Sequence, residues 1–211
     1  MEGIAKFFQS GGSFMYVILA VSAFGMAVVI ERIYYLQIRC RINAKNLLAT
    51  LTRLVRTDKV DEARKLCLKS KSPLAVILES ALWHYEQGLS NEEIQNAVDE
   101  TALRELPRVH KRTHYLALLS NVSTLLGLLG TISGLIQAFD ALAAADPSQK
   151  SVLLSKGIAE SMNCTAFGLM IGIPCMVAHS VLQAKSGQII EEIDESSVRL
   201  LNFLFIQRTN R

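Results

Sequence analysis

Two otherwise apolar stretches of this 211-residue chain carry hydroxyls and glycines at helical spacing. In one, Ser120, Thr124, Gly127, Gly130, Thr131, Gly134, Gln137 and Ala138 fall within an arc of about 140° on a helical wheel. Leu125, Leu128, Leu129, Ile132, Leu135, Ile136 and Phe139 occupy the rest. In the other, Ser161, Cys164, Thr165, Gly168, Gly172, Cys175, His179 and Gln183 share a face, while Phe167, Met170, Ile173 and Val177 take the others. Polar groups inside a membrane usually face protein or water rather than lipid. Such stripes can line a pore, or they can let helices pack closely as small-xxx-small motifs do, and one arrangement of copies around an axis satisfies both. The hydroxyls of Thr131 and Thr165 can hydrogen-bond to water or to a carboxylate, but they cannot titrate. A proton pathway needs a group that takes and releases protons at depth, and neither stretch has a carboxylate in its middle. If ions move here, another chain supplies the acid.

The ionisable groups nearby are few. Glu160 sits at the entrance of the second stripe, where a pore-mouth role and a structural role both remain open. His179 lies on that stripe near its far end, able to titrate near neutrality or simply interfacial. Glu31 beside Arg32 reads as an interfacial ion pair or as a functional carboxylate, and Asp140 ends the first stripe in water. Asn163 adds polarity next to Thr165.

The elements that must position these residues follow from charge segregation. Phe7–Ile30, Thr113–Phe139 and Ser161–Ala184 are free of Asp, Glu, Lys and Arg, over 24, 27 and 24 residues. About 20 apolar residues cross a ~30 Å hydrocarbon core, so the pattern predicts three membrane-spanning helices. Arg39 to Arg112 holds 14 Lys and Arg and the tail from Lys185 adds 4, against Lys6 alone before the first span. The positive-inside rule then places the long loop and C-terminus in the cytoplasm and the N-terminus outside. The first span reads as a retained anchor rather than a signal peptide, lacking a basic start and an A-x-A site. Cys40, Cys67, Cys164 and Cys175 show no CxxC spacing and read as packing residues, so no metal and no cofactor is expected. A net charge of +3 without an aromatic-basic pattern gives no argument for nucleic acid.

The expected fold class is all-α, with residues 1–13 an outer amphipathic segment, 14–37 the first transmembrane helix and 38–112 a helical cytoplasmic domain. Residues 113–142 form the second span, 143–151 an outer turn, 152–184 the third span and 185–211 a cytoplasmic helix. In the cytoplasmic part, Leu47, Leu48, Leu51, Leu54 and Val55 keep the 3.6-residue period, which Val60, Ala63, Leu66 and Cys67 continue. Ser72-Pro73 reads as an N-cap with proline at the first helical position, Gly88 as a stop, and Ser90 with Glu93 as a capping box. The helix from Asn91 is expected to run through Arg104–Arg112 into the second span with a kink at Pro107. Asp146-Pro147-Ser148 marks an outer turn too short for a domain, so any outside function belongs to a partner.

These residues resemble a known family. Leu125-Leu126-Gly127-Leu128-Leu129-Gly130-Thr131-Ile132-Ser133-Gly134 through Phe139 is similar to the LLGLLGTVxGxxxAF signature of the MotA/TolQ/ExbB proton-channel family, closest to the ExbB/TolQ branch. Gly157 to Leu169, followed by Ile173-Pro174, resembles its GIxEALxxTAxGLxxxIP pattern, and Ser22–Arg32 its first span. The chain departs at Ser123-Thr124, where the family often has Ala-Pro. The resemblance implies a homo-oligomer, a pentamer in the inner membrane of bacteria, around the helices of two copies of an ExbD/TolR-like single-span partner. Each partner helix would bear an aspartate facing Thr131 and Thr165, with Glu160 standing for the family glutamate. Asn163 could suit sodium, but the proton is the expected ion. The expected function is a stator subunit converting proton-motive force into mechanical work, not an enzyme. A non-conducting membrane scaffold is the alternative.

Overall fold

A computed structural model describes residues 13–40, 43–143 and 146–209. The expected outer amphipathic segment, ending at Ser13, otherwise lies outside the described residues. Helix α1 spans Ser13–Tyr34 and continues as a π-helical turn, Tyr35–Arg39. Four shorter helices follow: α2 Ala44–Arg56, α3 Val60–Lys69, α4 Pro73–Glu86 and α5 Asn91–His110. Two long ones complete the chain, α6 His114–Ala143 and α7 Lys150–Thr209. Among the described residues there is no strand. The third span and the C-terminal helix, expected as separate segments meeting at 184–185, are one helix of 60 residues.

The chain forms two compact units. The first comprises Met1–Glu31 and Arg112–Val181. Here Met15 and Ile18 of α1 pack with Cys164 and Phe167 of α7, bordered by Phe14, Leu126 and Ile171. Apolar windows long enough to cross a membrane lie in Phe14–Ile38, within Asn91–Ala143 and within Lys150–Thr209. Only 22%, 22% and 28% of those windows is buried inside the chain, so most of their apolar surface is left for lipid or other helices.

The second unit comprises Arg32–Lys111 and Leu182–Arg211. Its core contains Leu51 and Val55 of α2, Leu78 and Leu82 of α4, Ile94 of α5, and Leu200 and Leu204 of α7. Local signals set its boundaries. The Ser72 hydroxyl accepts from the Ala75 amide at 3.1 Å, with Pro73 opening α4. Gly88 takes φ +74°, and Ser90 and Glu93 cap α5 reciprocally. The period linking α2 and α3 is real, since Leu51, Val55, Ala63 and Cys67 are all buried. A turn with Asp58 at φ 62° nevertheless separates the two helices.

The expected kinked passage from α5 into α6 does not form. Lys111 still donates to the Pro107 carbonyl at 2.9 Å, but Arg112 turns left-handed at φ 69° and α6 restarts at His114. A helix that stops leaves its last carbonyls without amide donors. The guanidinium of Arg32, 3% exposed, donates to the Val109 carbonyl at 2.5 Å, and the Ser186 hydroxyl reaches the same oxygen at 3.4 Å. These two side chains replace the helical donor, and a cation at a helix C-terminus is also favoured by the helix dipole.

Candidate ion-pathway site

Within the first unit, the polar stripes of α6 and α7 lie against each other. Small residues allow this. A Cβ added to Gly127 would stand 3.1 Å from the Cys164 carbonyl and 3.2 Å from the Cα of Gly168. One added to Gly168 would stand 2.6 Å from the Ser123 carbonyl, and one on Gly172 would stand 2.7 Å from Thr124 Oγ1. Gly130 and Gly134 face Cys164 Sγ and Ser161 Oγ as closely. The stripes therefore form a seam of backbone against backbone, the contact that small side chains permit in a membrane.

Hydroxyls punctuate the seam. Ser120 Oγ donates to the Gly172 carbonyl at 2.7 Å, tying the helices at one end. Farther along, the hydroxyls of Thr131 and Thr165 touch. Thr165 Oγ1 reaches the Gly127 carbonyl at 3.1 Å, and Thr131 Oγ1 reaches the Gly127 and Ser161 carbonyls at 3.1 and 3.2 Å. Each hydroxyl has one proton to give and two lone pairs. With Thr165 donating to Gly127 and Thr131 to Ser161, spare lone pairs remain, and a small rotation would aim either proton at an incoming carboxylate. Both threonines are only partly buried. The pair can orient water or bind an acid's oxygen, but it cannot hold a charge-carrying proton.

The structure gathers Thr124, Gly127, Gly130, Thr131, Gly134, Thr165, Gly168 and Gly172 into this seam. Other residues stand apart from the hydroxyl pair. Asn163 is half-buried two positions before Thr165, toward another face of α7. Glu160 pairs with Lys156 at 3.9 Å, with both side chains well exposed. His179 is half-buried fourteen residues beyond Thr165, about 21 Å along the helix axis. The carboxylate of Glu31 meets Arg112. That partnership spans 81 residues and no sequence signal announces it. Ser123, at the departure from Ala-Pro, has its hydroxyl buried without a hydrogen-bond partner.

Residues 69–195 match the sequence model of the MotA/TolQ/ExbB proton channel family, more than half of the chain and both halves of the seam. The chain belongs to that family. It is 26% identical over 194 residues to a putative biopolymer transport protein ExbB homolog of Methanothermobacter thermautotrophicus. That alignment covers 91% of this chain and 66% of the relative, so the chain spans just under two thirds of that protein's length. A putative biopolymer transport protein ExbB-like 3 of Synechocystis is 28% identical, with 83% of each chain covered. The fold is similar to that of the C. jejuni MotAB structure, with a TM-score of 0.54 at 16% identity over 92% of this chain and 85% of the other. In this member of the MotA/TolQ/ExbB family, the seam of α6 and α7 is built from the signature residues themselves: Gly127, Gly130 and Thr131 from one motif, Thr165 and Gly168 from the other.

Proposed function

We propose that this chain is the channel subunit of an inner-membrane stator that converts proton-motive force into mechanical work through an ExbD/TolR-like partner. The observation that carries this reading is the Thr131–Thr165 hydroxyl pair, set in a seam whose described residues include no acid between Asp140 and Glu160 at its outer end and Glu31 at the other. Hydroxyls without an acid suit a guest carboxylate, because they can bond its ionised form and release it once it is protonated. Five copies would surround two partner helices, each bringing one aspartate. Protonation would cancel the aspartate's charge, weaken its bond to the hydroxyls and let it step to the next subunit. The excess of Lys and Arg in the loop and tail supports an orientation with those segments in the cytoplasm and the N-terminus outside. In this reading the chain works by binding and releasing a carboxylate, with no covalent step and no enzymatic role. The names of the ExbB relatives and the MotAB fold likeness support the reading.

The test is proton flux into vesicles containing the chain with its partner, read by a pH-sensitive dye. Thr131→Val and Thr165→Val should each cut the flux by about tenfold or more, the worth of a hydrogen bond to a charged group, while Thr→Ser at either position keeps most of it. A non-conducting scaffold would show no flux in the wild type and full envelope activity in both valine variants. That result would overturn the proposal.

A further inference from the structure

A cavity of about 1010 Å³ opens in the second unit, between the π-helical turn after α1, the start of α2 and the stretch of α7 beyond Lys185. Leu36, Leu48 and Ile189 give it an apolar floor, and Lys45, Lys185 and Glu192 line its polar side. Arg199 and Glu195 also line it, but they neutralise each other in an ion pair. Lys45, Lys185 and Glu192 are in no ion pair among the described residues, and Lys185 reaches only the neutral Gln188 Oε1 at 3.5 Å, which leaves two uncompensated cations and one carboxylate lining the cavity. Its position is telling. Leu36 and Gln37 belong to the apolar window Phe14–Ile38, and Lys185 is the first charged residue after the uncharged stretch Ser161–Ala184. The cavity therefore begins where two membrane-spanning segments leave the hydrocarbon.

We infer that this cavity is a phospholipid site that selects an amine-bearing headgroup. An acyl chain lies against Leu36, Leu48 and Ile189, the phosphate sits between Lys45 and Lys185, and the headgroup ammonium meets Glu192. The charge count picks the occupant. A purely anionic headgroup would satisfy the lysines but strand Glu192 beside like charge, whereas a zwitterion with a primary amine pairs with all three. A quaternary ammonium has no N–H to donate to the carboxylate, so choline is disfavoured against ethanolamine. The inference rests on the membrane location of α1 and α7, not on ion conduction, so it stands or falls separately from the channel reading.

The experiment is native mass spectrometry of the full chain in its assembled, detergent-solubilised form. Phosphatidylethanolamine, phosphatidylglycerol and phosphatidylcholine of identical acyl chains are added in turn, and bound lipid per subunit is counted. The wild type should retain phosphatidylethanolamine in preference to the other two. Lys45→Ala and Lys185→Ala should each weaken retention about fivefold, as expected for one juxtamembrane cation. Lys45→Arg with Lys185→Arg should restore it, which separates charge from folding damage. Glu192→Gln should erase the preference over phosphatidylglycerol while leaving total binding in place. Equal retention by the wild type and a variant carrying both Lys45→Ala and Lys185→Ala would overturn the site. So would a disulfide formed between Leu48→Cys and Ile189→Cys on neighbouring copies, because a second subunit would then fill the cavity.

Discussion

The carboxylate of Glu31 and the guanidinium of Arg112 form an ion pair at 2.5 Å, joining the end of the first span to the start of the second across 81 residues of sequence. Arg112 holds this position with φ at 69°, in the region where a side chain is crowded by its own backbone. Arg32, the residue after Glu31, caps the end of α5 through the Val109 carbonyl. Glu31 thus pairs within the first unit and Arg32 within the second.

That conformation separates two contributions at Arg112. Arg112→Ala loses the ion pair and keeps the left-handed strain. Arg112→Gly loses the same ion pair but relieves strain of about 1 kcal/mol. Both side chains are nearly half exposed, so the pair itself contributes no more than about 1 kcal/mol. Thermal unfolding in detergent should rank wild type and glycine close together, with alanine below both. An alanine variant as stable as the glycine variant would show that the backbone strain is not felt.

The seam makes a second prediction, by comparison of two glycines. A methyl group on Gly168 meets the Ser123 carbonyl at 2.6 Å and Gly127 Cα at 3.0 Å, and both are backbone atoms. A methyl group on Gly134 meets the Ser161 hydroxyl, which can rotate away. Gly168→Ala should therefore force α6 and α7 apart and cost about 1–3 kcal/mol, the usual range for overpacking, while Gly134→Ala costs less. Unfolding midpoints of the two variants check the order. In the channel reading, Gly168→Ala also separates Thr131 from Thr165, so proton flux should fall with stability.

Cys67 gives a pH dependence. It is 1% exposed in the second unit, and burial, aided by the charge of Glu79, pushes its thiol up to about 12. The unfolded chain releases this proton near 9.0 and the folded chain does not, so the unfolded state binds fewer protons between those values. Stability should then fall as pH rises from about 9 toward 12, and Cys67→Ala should flatten that fall. At pH 8 a maleimide should label Cys67 only after denaturation, because the thiolate is the reactive form. Rapid labelling in the native state would contradict the burial.

What the amino-acid sequence determined by itself was whatever depends on neighbours a few residues apart. The three spans follow from composition over some twenty positions, and Ser72-Pro73, Gly88 and the Ser90–Glu93 box act through hydrogen bonds within one turn. The two stripes were legible because helical periodicity brings Gly127, Thr131, Thr165 and Gly168 onto single faces. What those faces meet was not legible, since a stripe states only that its residues share a side. The structure sets the stripes against each other, ties Ser120 to Gly172, and brings Arg112 to Glu31. It also carries α5 through Pro107 but ends it at His110, against the expected run on into the second span. The physical reason is the same in each case. Backbone groups at a helix end and charges at a span's edge are satisfied by whichever donor folding brings within about 3 Å, and only the tertiary structure selects that donor from distant parts of the chain.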